Sequence, residues 1–318
     1  MILKYIAMGP GLAVRDGIAP EEAIWLDLVE PTDDERAALS ARYGAAIPSL
    51  ADQEEIEQSS RLYLDNGLPV MTVLLPARSA SGEAEIGPVT FILTKDQLVT
   101  IRHHGPRPFE TFPPRAGRAS LGCRSAEAVL MGLLEEIIDR LADITEMAGG
   151  EIDRTSRGVF RPEAAEKIDH RETLRRIGQT DTLVMQLSES LLTVDRMLGF
   201  LLTVSDAGEH RRAFRAALKS QQRDVRTITE QTAFLQQKAA FLLDATLGLI
   251  NIEQNAIIKI FSVAAVVFLP PTLIASIYGM NFQVMPELGT RYGYPAALGA
   301  MVLSAVIPLV YFKRKGWF

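Results

Sequence analysis

The chain of 318 residues has a single cysteine, Cys123, so no internal disulfide and no cysteine-only zinc cluster can form. It has no surplus of positive charge: 33 Lys and Arg stand against 39 Asp and Glu, for a formal net charge of −6. Nucleic-acid binding requires clustered cationic side chains, so no nucleic-acid partner is expected. It has no Gly-Lys-Ser/Thr phosphate loop, so nothing points to nucleotide-driven work. No Ser/His/Asp or Cys/His set stands in a recognisable context; the chain is expected to be no enzyme and to hold no resident cofactor. His103 and His104 are adjacent, and neighbouring strand positions point to opposite faces, so they make a poor chelating pair. The first eight residues carry Lys4 in a short apolar run, without the long apolar core and cleavage site of a secretion signal. The N-terminus is expected to stay in the cytoplasm. The most informative absence is charge itself. None occurs from Ile260 to Pro286, and none from Tyr292 to Phe312.

What is present divides into regions. A mean hydropathy of +0.11 alongside 23% charged residues suggests parts adapted to two solvents. Residues 1–120 read as a mixed α/β domain. Ala23–Val29 is strand-like, and Pro31-Thr32-Asp33-Asp34-Glu35 reads as a capped helix start with acids in the first turn. Leu62–Pro76 resembles a hairpin around Asp65-Asn66-Gly67, a sequence that accepts positive φ. Val89–Thr94 and Gln97–Arg102 resemble a second hairpin across Lys95-Asp96. The Pro- and Gly-rich piece from Gly105 to Gly122 reads as a linker or surface loop. Residues 121–250 carry long amphipathic helices, expected over Glu127–Gly149, Pro162–Val204 and Gly208–Asn251.

Residues 251–318 form the membrane part, with spans expected at about 257–278 and 294–312 around an external loop, 279–293. Roughly 20 apolar residues cross a hydrocarbon core of about 30 Å. Lys313-Arg314-Lys315 and Trp317 supply the basic cytoplasmic flank and interfacial anchor expected at the end of a span. Both termini are therefore expected in the cytoplasm, at the cell's inner (plasma) membrane. Between Arg212 and Pro270 there is no proline and only one glycine, Gly248. The spacing predicts a continuous stalk helix of about 60 residues, about 90 Å long, entering the first span. Pro270-Pro271 should bend it and free backbone carbonyls. Two spans cannot enclose an aqueous path, so transport would need several copies around an axis. Asn255, Ser262, Thr272 and Ser276 recur near multiples of a helical turn, with Ile258, Ala265 and Leu269 between them. Such a face suits either a mostly apolar pore or ordinary helix packing.

The first span ends in Tyr278-Gly279-Met280-Asn281-Phe282, followed by Met285-Pro286-Glu287-Leu288. These residues resemble the Gly-Met-Asn signature and Met-Pro-Glu-Leu loop of the CorA family of magnesium and cobalt transporters. The resemblance extends through Asn251–Asn255, Phe268–Thr272, Gly293-Tyr294-Pro295 and Tyr311–Trp317. It implies an α+β cytoplasmic domain with long helices and a stalk, then two C-terminal transmembrane helices, in a funnel-shaped homopentamer. It implies import of Mg²⁺, and of Co²⁺ or Ni²⁺, down the membrane potential. It puts Gly279, Met280 and Asn281 at the external mouth, and Asn255, Ile258, Leu269 and Thr272 along the pore.

The residue types fit that chemistry. Mg²⁺ sheds water reluctantly, so a ring of Asn281 amide oxygens could hold it through its bound water. Rings of Ile258 and Leu269 could close the path by dewetting. Many relatives carry an acid where this chain has Gln283, which leaves Glu287 as the nearby acid to attract cations. Family regulation by internal Mg²⁺ suggests Asp52-Gln53-Glu54-Glu55 and Glu135-Glu136 with Asp139 as candidate acids, though a plain solvated face explains each as well. Two readings compete: a zinc-transporting relative, and a membrane-anchored helical scaffold or sensor that transports nothing. Met280 and Glu287 favour magnesium over zinc, and the scaffold leaves Pro270-Pro271 and Asn281 unexplained.

Overall fold

The computed structural model describes residues 1–55, 57–78, 84–160, 169–205, 212–281 and 285–316. The chain forms two compact units, Met1–Leu243 and Asp244–Phe318.

The first unit is built on a seven-stranded mixed sheet in the order β2-β1-β3-β7-β6-β5-β4. Its strands are β1 (Ile2–Met8), β2 (Gly11–Val14), β3 (Trp25–Val29), β4 (Leu62–Asp65), β5 (Leu68–Arg78), β6 (Ala84–Leu93) and β7 (Leu98–Arg102). β3 and β7 pair in parallel, with Asp27 opposite Thr100; every other neighbouring pair is antiparallel. Both expected hairpins are present. At the β4–β5 turn Asn66 and Gly67 take φ of 48° and 81°, the double positive φ that matches the right-handed twist of the flanking strands.

The sheet is covered on both sides, as the alternation along β3 reveals. Leu26 and Leu28 join a core with Leu39 and Ile47 on the side of α1 (Asp33–Tyr43) and α2 (Leu50–Glu54). Trp25 points the other way, into the larger core. The start of α1 follows the expected reciprocal cap: Thr32 Oγ1 accepts from Glu35 N at 3.3 Å, and Glu35 Oε2 accepts from Thr32 N at 2.9 Å. A short helix, α3 (Gln58–Arg61), precedes β4.

The segment expected to be a linker is instead part of the core. Pro108–Arg115 forms a helix, α4, with Phe109 and Phe112 buried against Trp25. Pro108 opens the helix, where a missing N–H costs nothing. Burial of two phenylalanines then outweighs the helix-breaking tendency of Pro113-Pro114.

Three long helices complete the unit: α5 (Ala126–Phe160), α6 (His170–Val204) and the first part of α7 (Arg212–Tyr278). α5 passes its expected end at Gly149 because Ala148, Ile152, Thr155 and Val159 continue to be buried. On α7 the buried positions of this unit are Phe214, Leu218, Gln221, Val225, Ile228, Thr232, Leu235, Ala239 and Leu242. Their steps alternate strictly between four and three, the repeat of a left-handed coiled coil. α5 runs parallel to α7, with Gln221 Nε2 donating to Met131 O at 3.1 Å near one end and Lys238 paired with Asp153 further along. α6 runs the opposite way, with Arg226 near Asp195 and Gln236 bonded to Ser188.

The second unit holds the remainder of α7, a 3-10 turn at Pro286–Gly289 and α8 (Gly293–Arg314). The stalk expectation holds: α7 is one helix of 67 residues that includes Pro270 and Pro271.

Candidate ion-conduction pathway

Among the described residues of the two apolar stretches, only Val263 and Ala297 are buried. Phe261 and Phe268 are each 70% exposed, Leu269 66% and Ile307 64%. A soluble helix pair would hide such side chains from water, so this unit needs a hydrocarbon solvent and further protein surface. Tyr292 and Tyr294 stand exposed at the start of α8. At its other end Lys315 Nζ lies 5.5 Å from the Tyr311 ring centroid. Aromatic and basic side chains at span ends are the pattern of an interface anchor. Trp317 lies outside the described residues.

Asn255, Ile258, Leu269 and Thr272 all lie on α7 and all are exposed, a property they share with nearly every residue of the span. Their separations of three, eleven and three put them on one seven-residue repeat. Pro270 and Pro271 offer no N–H to the carbonyls of Val266 and Val267. The next carbonyl, that of Phe268, accepts from Thr272 Oγ1 at 2.8 Å. The Thr272 proton is thus committed to the helix, and the oxygen presents only lone pairs outward. Those lone pairs suit the outward-pointing hydrogens of water around a cation.

α7 closes with Gly279 N on Ala275 O at 2.9 Å and Met280 N on Ile277 O at 3.2 Å. Gly279 does not use a positive φ. An added Cβ there would sit 3.2 Å from the Ala275 carbonyl oxygen, a tight contact. Met280 and Asn281 follow it, both exposed. Phe282, Gln283 and Val284 lie outside the described residues, as does the side chain of Glu287 in the turn that follows.

Three of the candidate acids of the first unit, Asp52, Glu135 and Glu136, have hydrogen-bond partners. Asp52 closes the helix cap of α2, accepting from Ser49 N at 2.8 Å and Ser49 Oγ at 2.7 Å. The Ser49 hydroxyl and then its backbone N–H hold that carboxyl below its usual range. Glu135 accepts from Ser120 and Glu136 accepts from Thr111 Oγ1 at 2.6 Å. Asp139 is pushed up by burial first, then by Glu136, Asp143, Glu135 and Asp224. Asp143, one turn beyond Asp139, is readable in the sequence; Asp224 joins only because α7 packs beside α5. Among the described residues, no three His, Cys, Asp or Glu side chains are placed to hold a metal ion. His104 Nε2 bonds Leu75 O at 2.9 Å.

The profile of the family described as "CorA-like Mg2+ transporter protein" matches residues 20–314. The chain is 36% identical over 298 residues to the magnesium transport protein CorA of Mannheimia succiniciproducens, covering 93% of this chain and 92% of that one. It is 36% identical over 309 residues to that of Escherichia coli K12, covering 96% and 95%. In structure it resembles the complete CorA magnesium transporter from Methanocaldococcus jannaschii, with a TM-score of 0.74 at 19% identity, covering 100% and 99% of the two chains. It also resembles the ZntB cytoplasmic domain from Vibrio parahaemolyticus, with a TM-score of 0.57 at 12% identity over 78% of this chain and 97% of that one, a likeness of fold alone.

Proposed function

The chain belongs to the CorA family, and we propose that it is a Mg²⁺ channel, a homopentamer at the inner membrane with both termini in the cytoplasm. Membership of a family whose curated relatives are named magnesium transport proteins supports Mg²⁺ as the substrate; Co²⁺ and Ni²⁺ are proposed as further cargo. One observation carries the reading: an apolar span with a seven-residue row of uncharged groups ends directly in Gly279-Met280-Asn281.

At the outer mouth, Asn281 from each copy offers an amide oxygen to the water of a still-hydrated ion. Direct coordination would require dehydration, which Mg²⁺ resists. A carboxylate in that place would hold the ion harder and release it more slowly. Met280 lines the mouth beside it, Gly279 lets the last turn close tightly, and Glu287 draws cations in. Along the pore, Asn255 and Thr272 present oxygens while Ile258 and Leu269 form apolar rings that dewet when the copies draw together. Moving two charges inward across 100 mV releases about 4.6 kcal/mol, at roughly 2.3 per charge. Cytoplasmic Mg²⁺ bound between copies holds the gate shut.

The test is uptake of Mg²⁺, Co²⁺ and Zn²⁺ into proteoliposomes under an imposed voltage. Voltage-dependent Mg²⁺ entry is expected, lost in Asn281→Ala while the oligomer persists. Mg²⁺ flux at background in the wild type would leave the scaffold reading. Zn²⁺ entry in preference to Mg²⁺ would leave the zinc reading. Undiminished uptake by Asn281→Ala would remove Asn281 from selectivity. Unchanged protease sensitivity in millimolar Mg²⁺ would remove the gating step.

A further inference from the structure

We infer that the cleft between α4 and α5 binds a polyphosphate carried as its Mg²⁺ complex, the form taken by a nucleoside di- or triphosphate. The cleft has a volume of about 410 Å³. Arg107, Thr111 and Arg115 line one side, and Glu136, Asp139 and Asp143 the other. Steps of four on α4, and of three and four on α5, put each set on one helix face. Arg140, which already has a partner, completes the α5 wall.

The two walls are held in place by packing. Phe109 and Phe112 are buried on α4, and Phe112 lies where a Cβ on Gly132 of α5 would come within 2.6 Å of its ring. Thr111 Oγ1 donates to Glu136 Oε1 at 2.6 Å, which ties the walls together. The exposed charges beside that bond stay unpaired. Among the described residues, the side chains of Arg107, Arg115, Asp139 and Asp143 make no hydrogen bond or ion pair. Negative charge is crowded on the α5 side: after burial, Glu136, Asp143, Glu135 and Asp224 all push the Asp139 carboxyl up.

A ligand that satisfies both walls brings both signs of charge. Bare Mg²⁺ is a poor occupant, because among the described residues no three His, Cys, Asp or Glu side chains are placed to hold a metal ion. A polyamine would be repelled by the arginines. A single carboxylate reaches too little, since Arg107 and Arg115 start about 12 Å apart along α4. A chain of phosphates can meet both guanidinium forks, each of which matches a pair of phosphate oxygens. Mg²⁺ on that chain keeps several of its waters and needs only one or two carboxylates besides the phosphates. Asp139 and Asp143 supply them. The lining holds no aromatic ring on which a base could stack, so the phosphates and the metal carry the recognition. Such a site binds through side chains, without the phosphate loop that the sequence lacks. It lies wholly within the first unit and does not depend on the channel reading.

The test is isothermal titration calorimetry of MgADP into full-length protein in lipid nanodiscs, at one fixed concentration of free Mg²⁺. Saturable binding is expected. Arg107→Gln/Arg115→Gln should weaken it by about tenfold or more with Tm unchanged. Asp139→Asn/Asp143→Asn reads the part played by the metal. Loss of a Mg²⁺ bridge weakens binding, whereas loss of two negative charges tightens the binding of a bare anion; weakening is expected. Mg²⁺-pyrophosphate that binds as tightly as MgADP would support the site and identify the phosphate chain alone as its ligand. Absence of saturable binding, binding unchanged by the arginine pair, or tighter binding by the aspartate pair would each overturn the inference. Each of these results would leave the channel reading standing.

Discussion

Arg102 and Asp27 form an ion pair inside the sheet, with Arg102 Nη2 2.9 Å from Asp27 Oδ2 and Asp27 fully buried. Thr100 Oγ1 donates to Asp27 Oδ1 at 2.7 Å, and the Arg102 guanidinium lies 5.0 Å from the Phe109 ring centroid. The parallel pairing of β3 with β7 sets Asp27 opposite Thr100 and brings Arg102 within reach.

Arg102→Met is expected to destabilise the protein by about 3–5 kcal/mol, because it leaves a buried carboxylate without its counter-charge. Burial already pushes the Asp27 carboxyl up, against Arg102 and its hydrogen bonds. A carboxyl raised in the folded state contributes stability at low pH that is lost as pH rises through its folded value. The deficit of Arg102→Met should therefore shrink on acidification. Denaturant unfolding at two pH values checks this; a deficit that grows in acid would contradict it.

Gly150→Ala is expected to stabilise the protein by about 0.5–1 kcal/mol. Gly150 lies inside α5, and an added Cβ meets nothing within 4 Å. Alanine loses less backbone freedom on entering a helix. A small upward shift in Tm is the readout, and a fall would show that α5 requires the glycine.

His104 should make the fold sensitive to mild acid. Its Nε2 is taken by Leu75 O, its Nδ1 is buried without a partner, and its ring lies where a Cβ on Gly87 would come within 2.9 Å. Burial lowers its ionisation first; Arg102 and His103 act the same way, while the Leu75 bond and Glu85 oppose them. A histidine with a depressed folded value contributes stability that is complete above about pH 6.5 and lost as pH falls through the folded value. Between pH 7 and 5, Tm of His104→Gln should fall less than that of the wild type. Parallel slopes would exclude His104 as the cause.

Leu269→Ser, at a proposed apolar ring, is expected to raise resting Mg²⁺ entry into proteoliposomes several-fold, because a hydroxyl-lined constriction stays wet. Unchanged resting flux would move the closure elsewhere, with Ile258→Ser as the next position to measure.

The features readable from sequence were those whose cause is local. Thr32 and Glu35 cap α1 across three residues, and Asn66-Gly67 turns a hairpin within four. The charge-free runs around Pro270 and Val306 need only composition to declare their solvent. The candidate mouth was legible for the same reason, since Gly279, Met280 and Asn281 are consecutive.

The sequence by itself determined the two apolar spans, the long stalk helix and the motif between the spans, because each is a pattern of neighbouring residues acting on their own backbone or solvent. Only the tertiary structure decided that β1 and β2 extend the sheet, that the proline-rich piece becomes α4, and that α5 continues through Gly149 and Gly150. It alone paired Asp27 with Arg102, 75 residues apart, and carried Asp224 to Asp139. In each case the deciding energy is burial or charge pairing between distant segments, which outweighs a local propensity of about 1 kcal/mol per residue.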